Sequence, residues 1–297
     1  MKQINIFCRS LLAFIFIAVL SYGCLSDKDE EVSVNTTGES LEEIVDKIRQ
    51  TSDPKGLYRN CKTYVMKQIL EFDKDTKHVS YMVEVKFKQP GMMKTTTYEN
   101  GKPISITLFK DNKAWNIDPE SGKSTPIKGQ GLELVKIFSA MANPANTIIT
   151  IFDHIDVQTV MDKESGNRYY KLICYPKAKD LPTYTMYVGE YSFLTKKLET
   201  MKYVMATNGQ FVKVPYVSYI DKYAEHDGVK IASITTVVLN KTNKFNYKVI
   251  DFDLDQPIPD SEFDLPVPWY IQTPDVPLSE LKKDSKSPEA PKAPKGK

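Results

Sequence analysis

From Lys62 to Leu254 the apolar residues of this chain recur at every second position, and no other feature restricts its fold as strongly. Tyr81, Val83, Val85 and Phe87 alternate with Met82, Glu84, Lys86 and Lys88. A period of two puts neighbouring side chains on opposite faces of a strand, so one face is covered and the other is wet, as in an antiparallel sheet. Ile104, Ile106 and Leu108 repeat the pattern, as do Tyr169, Lys171, Ile173 and Tyr175, and then Tyr184, Met186 and Val188. Turn pairs cut the run at Pro90-Gly91, Asn100-Gly101, Asp111-Asn112, Ser165-Gly166, Asn208-Gly209 and Asp227-Gly228. Asn-Gly and Asp-Gly tolerate the positive φ of tight hairpins. These signals mark about a dozen strands over residues 60–254. Consecutive short strands without βαβ spacing predict a mainly β protein: one meandering antiparallel sheet that must curl or close.

Two segments, one before this run and one within it, follow a helical period instead. Ser40 and Glu43 have capping-box spacing, and Leu41, Ile44, Val45 and Ile48 follow at helical spacing up to a stop at Gly56. Residues 131–153 read as two short helices joined at Asn143-Pro144, with Asn143 as cap and Pro144 in the first helical position. Their apolar residues cover most of the circumference, which requires burial on more than one side. Across the concave mouth of a curled sheet they form a lid, carried by Leu132, Val135, Phe138, Met141, Ile148, Ile151 and Phe152.

The two ends differ in kind from this domain. Lys2 and Arg9 precede an apolar run, Leu11 to Leu20, and Ser21-Tyr22-Gly23 leads into Cys24. That run is shorter than the ~20 residues of a membrane-crossing helix, and its flanks fit a secretion signal over residues 1–23. Gly23 before Cys24 resembles a lipobox, with Ser21 where an apolar residue is usual. Cys24 is therefore the expected site of lipid attachment, the anchor of an outer-membrane lipoprotein facing the periplasm or the cell surface. Residues 24–38 read as a polar tether, and Asp27, Asp29, Glu30 and Glu31 resemble the acidic segments that follow the cysteine in surface-exported lipoproteins. Residues 271–297, rich in Lys, Pro and Ala, hold too little apolar surface to order themselves.

Between these ends, residues 39–270 form one domain. A net charge of +2 gives no footprint for nucleic acid, and Lys far outnumbers Arg, which argues against bidentate phosphate recognition. Cys61 and Cys174 both fall within expected strands, where a disulfide and two buried thiols fit equally well.

Lys86 to Ile127 contains Lys-Phe-Lys-Gln-Pro-Gly-Met-Met-Lys, a strand, and then Asp-Asn-Lys-Ala-Trp-Asn-Ile-Asp-Pro. Asp251 to Pro266 closes with Gln-Pro-Ile-Pro-Asp-Ser-Glu-Phe. Over residues 40–266 this order of elements resembles the outer-membrane lipoprotein-sorting proteins, the LolA and LolB group. The resemblance implies a half-open barrel of about eleven antiparallel strands with helices forming a lid over an apolar cavity. Where those carriers have an Arg before the Pro of the turn, this chain has Gln89, and what carries over is apolar binding. Tethering through Cys24 makes the anchored receptor the nearer analogue of the two.

The inner-face residues expected from the alternation are Tyr81, Val83, Val85, Phe87, Ile104, Ile106 and Leu108, with Ile173, Tyr184, Met186, Val217 and Tyr219 from the second half. A guest for such a wall is a lipid or a lipidated protein. An envelope sensor that binds a partner protein through the same fold is the alternative. Catalytic chemistry has little to stand on. His78, His154 and His226 lack metal-ligand spacing, no nucleophile elbow or phosphate loop is present, and Asp118 and Glu120 flank Pro119 as solvated turn acids. No enzyme activity, cofactor or metal is expected. Trp115 and Trp269 read as packing anchors.

Overall fold

The computed structural model describes residues 31–34, 38–74, 77–205 and 211–266. The expected signal segment, Cys24, the Asn208-Gly209 turn, Trp269 and the tail lie outside the described residues.

In chain order the elements are β1 (Glu31–Ser33), α1 (Leu41–Ser52), α2 (Leu57–Asn60), β2 (Thr63–Lys74), β3 (Lys77–Lys88), β4 (Met92–Glu99), β5 (Lys102–Lys110), β6 (Lys113–Ile117) and β7 (Ser124–Ile127). Then come α3 (Gln130–Ala142), α4 (Ile148–Ile151), β8 (His154–Asp162), β9 (Arg168–Tyr175), β10 (Tyr184–Gly189) and β11 (Thr195–Met205). β12 (Phe211–His226), β13 (Val229–Leu239), β14 (Asn243–Leu254) and a 3₁₀ turn at Asp260–Phe263 complete the chain. The strands form one 14-stranded antiparallel sheet in the order β1-β8-β9-β10-β11-β12-β13-β14-β2-β3-β4-β5-β6-β7. This exceeds the dozen strands expected from turn signals. The extra pieces include β1, three residues of the expected tether, which pair with β8.

The hairpins form where the sequence places them. Asn100 and Gly101, and Asp227 and Gly228, all adopt positive φ, so neither turn pays the steric penalty that a Cβ-branched residue would. The α1 cap also forms: Glu43 N–H donates to Ser40 Oγ at 3.2 Å, and Ser40 N–H donates to Glu43 Oε2 at 2.8 Å. These two bonds satisfy backbone donors that the first turn would otherwise leave without partners.

Strand order requires the curl. Leu172 on β9 and Val83 on β3 belong to one contiguous buried core, yet six strands lie between theirs in the sheet, a distance of seven strand spacings. On a flat sheet that is about 34 Å, too wide for the short helices to bridge. The connection from β7 to β8 explains where the helices lie. β7 is one edge of the sheet and β8 is next to the other edge, so the chain carrying α3 and α4 must cross the open mouth. The segment from β1 to β2, which carries α1, runs from an edge to the middle of the sheet on the same side.

One helical expectation shifts. α3 ends at Ala142, and Asn143 and Pro144 belong to the turn that follows. Asn143 Oδ1 accepts from Ala145 N–H at 3.1 Å, capping that turn and not a helix. α4 starts four residues beyond Pro144, at Ile148, where Thr147 and Thr150 form the capping box. Cys61 likewise lies just before β2, not inside a strand.

Candidate functional site

The register fixes which side chains face the lid. Val83, Val85 and Phe87 on β3 are fully buried, and each is paired across β4 with Thr97, Thr95 and Met93. Those in turn face Ser105, Thr107 and Phe109 of β5. The inner row of β5 is therefore Ser105, Thr107 and Phe109; Ile104 sits unpaired in the register shift opposite Thr97 and Tyr98, outside that inner row, and Ile106 and Leu108 point to the convex side. There Ile106 and Leu108 pack with Ile117, Trp115, Ile258 and Phe263, under the C-terminal segment. On β9 the inner residues are Tyr170, Leu172 and Cys174, paired with Val188, Met186 and Tyr184 of β10, so Ile173 faces outward. On β12, Tyr216 and Ser218 are buried, and Val217 and Tyr219 occupy the opposite face. Of the expected inner residues, Tyr81, Val83, Val85, Phe87, Tyr184 and Met186 lie on the core side; Ile104, Ile106, Leu108, Ile173, Val217 and Tyr219 do not.

The lid side chains meet this wall from above. Val135, Phe138 and Phe152 are buried, and Leu132, Met141, Ile148 and Ile151 are partly buried against the core. Phe152 tilts against Tyr184, with ring centroids 5.6 Å apart. α1 contributes to the lid as well, through Ile44 and Val45 of its apolar face. Burying a side chain of this size is worth about 1.5–3 kcal/mol, so the lid adds substantially to the stability of the closed form.

Hydrogen bonds fasten one end of that lid. The last carbonyls of a helix have no partner within it, and at the end of α3 the Ala142 carbonyl accepts from Tyr64 Oη at 3.1 Å and Tyr58 Oη at 3.4 Å. Tyr64 is itself stacked on Phe87 of the wall at 5.3 Å. Asn143 Nδ2 adds a bond to the Pro90 carbonyl at 3.3 Å. The Pro90 turn therefore holds the lid, while Gln89 Nε2 donates to the Cys61 carbonyl at 2.8 Å and ties the same turn to the start of β2.

Beside this latch, α1, the α3–α4 turn and β10–β11 enclose a cavity of ≈ 160 Å³. Its apolar lining brings Met186 together with Met141, Ile148 and Ile151, adding Val45, Ile48 and Leu198. Its rim is polar and includes Arg49, Asp53 and Arg59, none of which was singled out from sequence. Only the fold reveals them, because α1 and α2 look like surface helices until the sheet curls beneath them.

Two kinds of polar group interrupt the inner wall. Lys202 of β11 has its ammonium 4.0 Å from the centre of the Tyr216 ring and 5.7 Å from that of Phe138 on the lid. The ring faces favour the cation, but burial disfavours it more and lowers its pKa to about 7. Gln68 of β2 is fully buried between Val249 and Val83, and neither end of its amide finds a protein partner. The hydroxyls of Thr95, Thr97, Ser218 and Thr235 are similarly unpartnered. A buried polar atom left so costs about 1–3 kcal/mol, which makes this wall a poor filler for itself.

Cys61 and Cys174 are both buried free thiols, and burial raises each to about 12, well out of the nucleophilic range. His78 and His154 are exposed; His154 stacks on Tyr175 at 4.1 Å. His226 ends β12 at the expected hairpin. Asp118 Oδ1 accepts from Glu120 N–H at 2.9 Å, closing its own turn. Among the described residues no helix is long and apolar enough to cross a membrane.

No family model and no curated protein matches the chain by sequence. Solved structures match it in fold. A LolA superfamily protein from Nitrosomonas europaea is 14% identical, with 76% of this chain and 98% of that one covered at a TM-score of 0.52. A DUF1329 family protein from Desulfovibrio piger is 10% identical over 74% of this chain and 97% of that one, at 0.51. At such identities the likeness is one of fold: the chain has the open, curled sheet of LolA superfamily proteins.

Proposed function

We propose that this chain is a membrane-anchored envelope lipoprotein that takes a hydrophobic guest, a lipid or the acyl chains of a lipidated protein, beneath the α3–α4 lid. The role proposed for that activity is in outer-membrane lipoprotein sorting. The observation that carries the reading is the construction of the core. Its inner wall is completed by a connection between the two sheet edges, which packs by side chains and a few latch hydrogen bonds and not by strand pairing. A lid of that kind can lift while the sheet stays paired.

The cavity of ≈ 160 Å³ is smaller than the roughly 300–1,000 Å³ of most small-molecule sites, so an acyl chain enters only by displacing lid side chains. Each methylene buried in exchange contributes about 0.8 kcal/mol, and a long chain therefore offsets the loss of lid packing. Val83, Val85, Phe87, Tyr184 and Met186 are the wall residues assigned to the guest, with Phe138, Met141 and Phe152 as the lid residues that make way. Lipid on Cys24 would hold the domain at a membrane, since an acyl anchor gains about the same energy per methylene.

The test is a chain beginning after Cys24, which keeps every described residue, purified without delipidation. Mass spectrometry should find co-purified lipid, and a fluorescent fatty-acyl probe should bind and be displaced by unlabelled lipid. Clean protein that also refuses the probe sinks the proposal. The anchor is tested separately by metabolic labelling with a palmitate analogue, which should mark the full-length chain and not Cys24→Ala.

A partner protein is the second reading. The exposed outer side of the edge strand β7 favours it, since an unpaired edge is a ready template for an added strand.

A further inference from the structure

The rim of the lid cavity is chemically unlike its wall. It carries Arg49 and Arg59, two of the four arginines in the whole sequence. Counted over the chain, arginine is scarce enough to argue against phosphate binding; the fold gathers half of it at one opening. Arg49 is partly buried in the last turn of α1, and Arg59 is exposed on α2. Among the described residues neither makes an ion pair, whereas Arg168 is held by Glu190 at 2.9 Å. Gly56 precedes the helix that carries Arg59 and adopts the left-handed conformation, φ 69°, that the turn from α1 to α2 requires.

Asp53 supplies a second, independent observation. It caps the end of α1, is only 6% exposed, and lines the same cavity. Its Oδ2 accepts from Arg59 N–H at 2.8 Å, but Oδ1 is buried without a partner. A buried carboxylate oxygen in that state calls for a donor. A fatty acid does not answer the call, because its carboxylate brings a like charge to Asp53 and no donor. A phosphodiester whose substituent carries an ammonium or hydroxyl satisfies both halves of the rim.

We infer that this rim reads the head of a single-chain phospholipid, with the phosphate on Arg49 and Arg59 and the donor of the attached group on Asp53 Oδ1. The acyl chain of the same molecule runs inward past Met141, Ile148 and Met186. Arginine suits phosphate because its planar fork donates two parallel hydrogen bonds. The inference rests on the apolar-guest reading above and specifies which class of guest.

The experiment compares three probes of equal chain length on the chain beginning after Cys24: lysophosphatidylethanolamine, the free fatty acid and the monoacylglycerol. Each competes against a fluorescent acyl probe below its micelle concentration. Lysophosphatidylethanolamine should bind about tenfold tighter than the other two. The double variant Arg49→Gln/Arg59→Gln should erase that preference and leave monoacylglycerol binding unchanged. Asp53→Asn should weaken the ethanolamine lipid more than the fatty acid. Equal affinity for all three probes in the unaltered chain, or a preference that survives the double variant, overturns the headgroup site and leaves the apolar site standing. No binding by any probe overturns both.

Discussion

The two arms of the sheet are built on different plans. On the arm from β2 to β6 both faces are covered. α3 lies over an inner face that carries Thr95, Thr97, Ser105 and Thr107, and the chain from Ile258 to Asp264 lies over the outer face. That outer strap is fastened twice, by Phe263 and Ile258 in an apolar patch and by ion pairs. Lys86 and Lys94 reach Glu262 at 3.0 and 3.1 Å, Lys88 reaches Asp260 at 2.5 Å, and Lys110 reaches Asp264 at 2.8 Å. On the arm from β8 to β11 the inner face holds the bulky residues, Tyr170, Leu172, Tyr184, Met186 and Leu198, and it adjoins the cavity. Among the described residues its outer face carries a small buried patch of Val160, Tyr169 and Tyr187. The difference separates an arm covered on both sides from an arm whose apolar wall is exposed whenever the lid lifts.

The largest expected effect tests whether the strap is truly core. Phe263→Ala should lower unfolding stability by about 3–5 kcal/mol, as much as Phe87→Ala on the inner face, in denaturant melts of both variants. A loss below about 1 kcal/mol for Phe263→Ala would make the strap a surface ornament and dissolve the contrast between the arms. Next, adjacent residues of β9 should behave oppositely. Leu172→Ala should cost about 2–5 kcal/mol, and Ile173→Ala about 1 or less, measured the same way. Similar losses at both positions would mean that the second arm is also covered outside.

The wall's polar residues give a smaller effect of opposite sign. Gln68→Met should stabilise the lipid-free protein by about 1 kcal/mol, because it removes an amide that is buried without partners. Destabilisation by Met would show that the amide is satisfied. The strap's ion pairs should contribute least, below about 1 kcal/mol in total effect of Glu262→Gln at neutral pH. Hydrogen bonds from Lys86 and Lys94 hold the Glu262 carboxyl below its ordinary 4.5. A carboxylate with a lowered folded pKa contributes above its unfolded value and loses that contribution as pH falls through the folded one. The gap between wild type and Glu262→Gln should therefore be full above about pH 5 and close as the solution is acidified through the folded pKa. A gap independent of pH would rule out the charge as its source.

The same comparison explains what could be read from sequence. Strands, hairpins and the α1 cap depend on short-range rules, and the chain obeys them at Asn100-Gly101, Asp227-Gly228 and Ser40. The inward row of β3 was legible because its outward row is Glu84, Lys86 and Lys88. On β5 the more apolar row, that of Ile106 and Leu108, is the outer one, because the strap gives the convex face a core of its own. Alternation identifies two faces; it chooses the inner one only where a single face is covered. The buried inner row carries the hydroxyls of Ser105 and Thr107, residue types that alternation alone assigns to solvent. On β9 a clue was present, since Ile173 shares its row with Lys171. The rim of Arg49, Asp53 and Arg59 had no local signal at all, because its two helices acquire a shared cavity only through the crossing of the mouth.

β1 sets the length of a leash. Its first residue, Glu31, is paired with Asp162 at the edge of the sheet, and Lys171 forms an ion pair with the Glu31 carboxylate. On the proposal that Cys24 carries lipid, seven peptide units separate the anchor from that fixed point, a span of at most about 25 Å. The leash is shorter than the flexible tether of residues 24–38 would have allowed, and it is tied to one edge. The β8 side of the sheet is then held close to the bilayer, the domain pivots about that edge, and a guest need travel only the height of the protein between membrane and lid.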